Sequence, residues 1–151
     1  MAKEIVTQYK GQLYNISDYN KPNEVFAQND KVKSYLEGFK GYLTEEGYKR
    51  FGANRIWSIP LEACNKGKFS LNISSIEFNK ITEESNKMMM EYTIILGAAN
   101  AKTGFTHTSV ETGEVALIKE NNTWKIDHDW FRVADLIEQE LGMGQGTVIK
   151  F

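Results

Sequence analysis

The chain has 151 residues, of which 41% are hydrophobic and 25% charged, the composition of one globular domain of ordinary size. That excludes a disordered, collagen-like or coiled-coil chain, and a chain this long buries roughly 70% of its unfolded surface without help from disulfides or metal. Eighteen basic residues oppose twenty acidic ones, a net charge of −2, so there is no global attraction for nucleic acid or an anionic membrane.

The single cysteine, Cys64, has no partner for an internal disulfide, and no Cys/His cluster has zinc-site spacing. It reads as a small buried hydrophobe. Met1-Ala-Lys-Glu leads directly into amphipathic sequence, without the apolar stretch of a signal peptide. The most apolar segment, 92–99, is too short to span a bilayer. The expectation is a soluble domain: cytoplasmic as written, extracytoplasmic (cell envelope) if a signal or lipobox has been removed.

The first half reads as helices. Ile5, Val6, Tyr9, Leu13 and Ile16 recur at helical spacing, and 18–23 reads as the turn that ends this helix. Val32, Tyr35, Leu36, Phe39 and Leu43 form a second stripe, with Asp30 as its N-cap. Thr44 caps a third, short helix, whose Glu45 and Glu46 complement its positive end. Tyr48 and Phe51 share one face of it, and 52–54 is its stop. The interleaved Lys31, Lys33, Lys40, Lys49 and Arg50 read as a solvated helix face.

From Phe69 the period changes to two. Phe69, Leu71 and Ile73 alternate, the phase slips at Ser74-Ser75, and Ile76 and Phe78 resume it, which predicts a bulge. Met88, Met90, Tyr92, Ile94 and Leu96 mark a second strand, with Met89 on its opposite face. Residues 105–119 form a third, where Gly113 predicts a kink or second bulge. After the turn at 120–123, Trp124, Ile126, His128 and Trp130 alternate as the fourth. The short connections predict antiparallel neighbours. Val133, Leu136, Ile137 and Leu141 predict a closing helix capped by Gly142, and 147–151 offers an edge strand. The fold class is α+β: N-terminal helices packed on a curved, cone-like antiparallel sheet of about four strands, with a short C-terminal helix.

Three segments carry a resemblance: the opening helix at 5–14, the block Tyr42-Leu-Thr-Glu-Glu-Gly-Tyr-Lys-Arg-Phe51, and the hairpin from Gly113 through Asn121-Asn122 into Trp124-Lys-Ile-Asp127. With them the chain resembles the nuclear transport factor 2-like superfamily, the cystatin-like cone fold. It is similar in particular to small extracytoplasmic or lipoprotein-borne members from low-GC bacteria, which its Lys and Asn content suits. The resemblance implies a single domain over 1–151, with its core at about 2–131 and a C-terminal extension at 132–151. Members of the superfamily include isomerases and dehydratases with a pocket inside the cone, transport adaptors and secretion-system assembly domains, so fold alone does not select a function.

Asp127-His128-Asp129 is the densest titratable cluster. On a regular strand the two carboxylates point one way and His128 the other, beside Trp124, Ile126 and Trp130. His128 is then either a packed histidine flanked by surface carboxylates or a general base looking into the cone. His107 sits among hydroxyls on a polar strand, and shares a site with His128 only if the register turns both inward. Tyr9, Tyr35, Tyr92, His107, Trp124 and His128 are the candidate pocket residues. No nucleotide, dinucleotide, serine-hydrolase or metal motif is present, so no catalytic set, cofactor or metal is expected.

The expected function is therefore a non-catalytic accessory domain that binds a small molecule or a protein, as the soluble part of a bacterial envelope protein. The second reading is a pocket enzyme of isomerase or dehydratase type, with His107, His128 or Asp127 moving a proton. The third is an assembly module of a secretion or conjugation machine, homodimeric through the sheet face.

Overall fold

Alternating apolar residues over long strands give a sheet with one greasy face, and the amphipathic helices that precede them supply its cover. In a computed structural model describing residues 1–151, five helices come first: α1 (Ala2–Tyr14), α2 (Lys21–Phe26), α3 (Asn29–Glu37), α4 (Glu45–Ala53) and α5 (Ile59–Gly67). Four long strands follow: β1 (Phe69–Glu84), β2 (Lys87–Asn100), β3 (Thr106–Glu120) and β4 (Thr123–Arg132). Helix α6 (Asp135–Leu141) and the short edge strand β5 (Val148–Lys150) close the chain. The sheet runs β1-β2-β3-β4-β5, and every neighbouring pair is antiparallel. The sheet thus has five strands rather than about four, the fifth at the offered edge position.

Several local expectations need correction. Residues 21–26, partly within the expected turn at 18–23, are helical, and so are 59–67, for which no element is predicted; each has proline near its start, where the missing N–H costs no hydrogen bond. The second stripe is broken: α3 stops at Glu37, a helical turn follows at Lys40–Tyr42, and the N-cap position is Gln28 rather than Asp30. Thr44 does cap α4, its Oγ1 accepting from the Gly47 amide at 3.0 Å. The β1–β2 register shifts between Ile73 and Ser75, where the phase slip lies, and shifts again between Asn79 and Thr82.

Gly113 marks no kink. It pairs in register with Tyr92 and Phe131. The irregularity lies instead on β4: Ala116 faces His128 while Leu117 faces Ile126, leaving Asp127 as an extra residue. Trp124 and Ile126 therefore share the inner face with Asp129 and Phe131, which are buried, while His128 and Trp130 turn to the outer face. The bulge is held from the helical side. The Thr44 hydroxyl donates to Asp127 Oδ1 at 2.7 Å, and Arg50 Nη2 donates to the Asp127 carbonyl at 2.7 Å. Gly47 lets α4 approach this closely, since a Cβ there would lie 2.9 Å from the Ile126 carbonyl oxygen.

Thirty-one buried apolar residues form one core between helices and sheet. No helix is long and apolar enough to cross a membrane. Thr44→Ala removes both the cap and the tie to Asp127. It is expected to lower unfolding free energy by about 1–2 kcal/mol, and a urea denaturation midpoint equal to wild type would contradict this account of the bulge.

Candidate functional site

Helix α1 turns Val6, Tyr9, Lys10, Leu13 and Tyr14 toward the sheet, and all five are buried. Lys10 lies in the middle of that stripe with none of its side chain exposed, and its ammonium meets two equally sealed carboxylates. Nζ is 2.8 Å from Glu111 Oε2 on β3 and 2.8 Å from Asp129 Oδ2 on β4. Tyr92 Oη, from β2, donates to Asp129 Oδ1 at 2.7 Å, and Tyr9 Oη donates to Asp129 Oδ2 at 3.2 Å. Tyr14 Oη donates to Glu111 Oε1. Every carboxylate oxygen thus has a donor, the condition for burying charge at all.

Four aromatic rings close around the ammonium. The centroids of Phe131 and Tyr92 lie 4.2 and 4.7 Å from Nζ, and those of Tyr9 and Tyr14 at 5.4 and 5.7 Å. Their π faces add attraction for the cation. Gly113 makes the room: a Cβ there would stand 2.4 Å from Tyr92 Oη and 2.6 Å from the Trp130 carbonyl oxygen.

The electrostatics follow from dehydration. Loss of water pushes the Glu111 carboxyl up; Lys10 opposes this, Asp129 adds to it, and the net shift is upward. Burial works against the Lys10 ammonium, but Asp129 and Glu111 outweigh it and hold the proton on. Burial and the neighbouring carboxylates raise the hydroxyls of Tyr9, Tyr14 and Tyr92 well above the usual phenol range, so they act as donors only. Asp129, the second carboxylate beside a single cation, adds to the upward push that burial gives Glu111.

Of the six candidate pocket residues, the structure brings only Tyr9 and Tyr92 together, as donors to Asp129. Tyr35 packs against Phe39 and Trp57 at the helical end. Trp124 is buried on the inner face, with Lys119 Nζ 5.7 Å from its ring. His107 is exposed near the start of β3, its ring 4.7 Å from Phe105. It pairs with Ala98, while His128 pairs with Ala116, so the two imidazoles share no site.

His128 neither looks into the cone nor shares a face with Trp124 and Ile126, because the bulge at Asp127 inverts its side. Its Nδ1 donates to the backbone oxygen of Phe151 at 2.9 Å, and its Nε2 lies 3.3 Å from Asp127 Oδ2. The ring stacks on Trp130 at 5.1 Å and 8°. Its ring is thus tied to the C-terminal residue on one side and to Trp130 on the other. Asp129 is no surface carboxylate, being completely buried.

Lys10 and Glu111 are not among the sequence candidates, and Asp129, read there as a surface carboxylate, lies on the opposite face. Lys10 left a trace, as the polar member of an apolar helical stripe. Glu111 left a weaker one, in phase with Val115 and Leu117. Asp129 stood out in the Asp127-His128-Asp129 cluster, but its side depends on the bulge. No three His, Cys, Asp or Glu side chains converge as metal ligands. Two surface grooves, of about 370 and 420 Å³, lie along the sheet beside His128 and Trp130, and neither is lined by Lys10, Glu111 or Asp129.

No family model matches the chain, and no curated protein does. Among solved structures it is similar to a periplasmic fragment of TraM, with 13% identity, 83% of this chain and 90% of that chain covered, and a TM-score of 0.49. It is also similar to the intermembrane space region of the chloroplast protein ARC6, with 13% identity, 85% and 91% covered, and a TM-score of 0.46.

Gly113→Ala is expected to displace the Tyr92 hydroxyl from Asp129 and to destabilise the fold by about 1–3 kcal/mol, read as a lower melting temperature; an unchanged melt would show that the space is not needed. Cys64 is buried and burial pushes its thiol up to about 12. Iodoacetamide at mildly alkaline pH should leave it unmodified in the folded chain and alkylate it in urea; rapid labelling of the native protein would contradict its burial.

Proposed function

We propose that this chain is a non-catalytic protein-binding domain whose working surface is the outer face of the sheet, and that a second copy of the chain is its partner. The observation that carries this reading is the occupied interior. The space under the helices, where a cone enzyme keeps its pocket, is filled by packed core and by the sealed Lys10–Glu111–Asp129 cluster. A substrate would have no polar group to meet there without unfolding α1.

The outer face offers the opposite conditions. Met89, Ile95, Val110 and Val148 are 38%, 37%, 51% and 62% exposed, and Ile95 stands directly opposite Val110. Trp130, flat against His128, extends the same surface. Exposed apolar residues collected on one sheet face, with charges between them, are typical of an interaction surface. The charges also suit self-pairing. Glu91 and Glu114 sit opposite each other on adjacent strands, a like-charge pairing that Lys80, 3.6 Å from Glu91, offsets on one side. A twofold axis across this face can set that acidic row against Lys87 and Arg132 of the other copy.

The order of helices and then meander, with the layer of helices over the sheet's inner face, supports membership of the nuclear transport factor 2-like superfamily as part of the same proposal. Sedimentation velocity over a range of concentrations tests the function. The wild-type chain is expected to dimerise, and Ile95→Lys/Val110→Lys to sediment as a monomer with an unaltered circular dichroism spectrum. A wild-type chain that stays monomeric throughout, or a double variant that dimerises as well as wild type, would overturn the reading.

A further inference from the structure

From the geometry of the sealed cluster we infer that Lys10 and Asp129 condense spontaneously into an intramolecular amide bond, with Glu111 as the proton carrier, so that α1 is covalently stitched to β4. An amine and a carboxyl group in contact in water do not condense, because both are solvated and ionised and water is in excess. Here solvation and excess water are removed, and the ion pair has only to pass one proton across its own contact. Lys10 and Asp129 are wholly excluded from solvent and stand 2.8 Å apart, Nζ to Oδ2. Holding the reactants in contact replaces a bimolecular encounter with an intramolecular one. Low polarity narrows the gap between the ion pair and the neutral amine–acid pair that reacts.

The remaining groups stand where the reaction needs them. A proton passes from the Lys10 ammonium to Asp129 Oδ2, leaving an amine and a carboxylic acid. The amine lone pair attacks Cγ of Asp129, and the carbonyl electron pair moves onto Oδ1, where the Tyr92 hydroxyl, 2.7 Å away, holds the developing oxyanion. Glu111 Oε2, 2.8 Å from Nζ, takes one proton from the attacking nitrogen and gives it to the Oδ2 hydroxyl, which departs as water. The carbonyl reforms, Glu111 returns to its starting state, and the products are one secondary amide and one water. No oxidant, metal or external donor enters the balance.

Glu111 touches the reacting nitrogen and is therefore catalytic. Its Oε1 receives the Tyr14 hydroxyl, which positions it. The rings of Phe131, Tyr92, Tyr9 and Tyr14 keep water out. The bond would tie residue 10 to residue 129 and so enclose most of the chain in one covalent ring. Such a link resists reduction and suits a domain that must stay folded under load or protease attack. The inference is independent of the proposed docking face.

Intact-mass spectrometry of the folded, purified chain under denaturing conditions is the test. The wild-type protein, of 17.3 kDa by sequence, is expected to be lighter by one water. A tryptic digest should yield a branched peptide joining the uncleaved Lys10 segment to the segment that contains Asp129. Glu111→Gln, checked for native circular dichroism, should keep the full mass, as should Lys10→Arg. A folded wild-type chain at full mass overturns the proposal. So does a lost water without the branched peptide, which would indicate dehydration elsewhere. A Glu111→Gln chain that still loses water overturns the role given to Glu111. If that variant does not fold, refolding wild type from urea decides the point: the mass should fall after folding and progressively more slowly as buffer pH is lowered, and loss at a pH-independent rate removes Glu111 from the step.

Discussion

Burying one ammonium and two carboxylates between α1 and the sheet is the constraint around which this molecule is arranged. Each ion leaves water at a cost of several kcal/mol, and only a complete set of partners offsets it. The ammonium carries three protons and the three tyrosines carry one each, enough donors for four carboxylate oxygens. Those donors and acceptors come from α1, β2, β3 and β4. Sliding any of these elements by one residue would strand a charge in the core, so the cluster specifies register as well as contact. Gly113 belongs to the same arrangement, as the gap through which the Tyr92 hydroxyl reaches Asp129.

The second organising feature is the extra residue at Asp127. It inverts the side of everything after it on β4, sending Asp129 inward to Lys10 and His128 and Trp130 outward to the surface. One backbone irregularity therefore creates both the buried cluster and the aromatic platform. It is secured by neighbours with little freedom of their own. Thr44 is engaged as a helix cap, Arg50 donates to the Asp127 carbonyl, and Gly47 brings α4 within reach.

The two faces of the sheet consequently have different chemical fates. The inner face has spent its polar groups on one another and is closed to ligands, but closure is also what permits chemistry between those groups. The outer face keeps exposed apolar side chains and an opposed pair of glutamates, features that favour a macromolecular surface over a small substrate. On the proposed reading the interior serves stability and the exterior serves contact, and the two demands fall on alternate residues of the same strands.

Much of this was legible in the chain itself. The helical stripe from Val6 to Leu13, the cap at Thr44, the change to a period of two at Phe69, the slip at Ser74-Ser75 and the capping glycine at 142 are local signals, set by neighbours a few residues apart. They determine that helices lie on an antiparallel sheet. The proline-led helix α2 falls where the sequence reads as a turn, since proline marks a helix start and a helix end with the same letter. The site was decided by tertiary structure alone. Lys10, Glu111 and Asp129 lie far apart in sequence, and their meeting depends on strand register and on a bulge in β4 that no local pattern records. Alternation predicted the wrong side for His128 and Asp129 because a single inserted residue reverses parity, and the forces that place that residue come from Thr44, Gly47 and Arg50 on a helix folded against it.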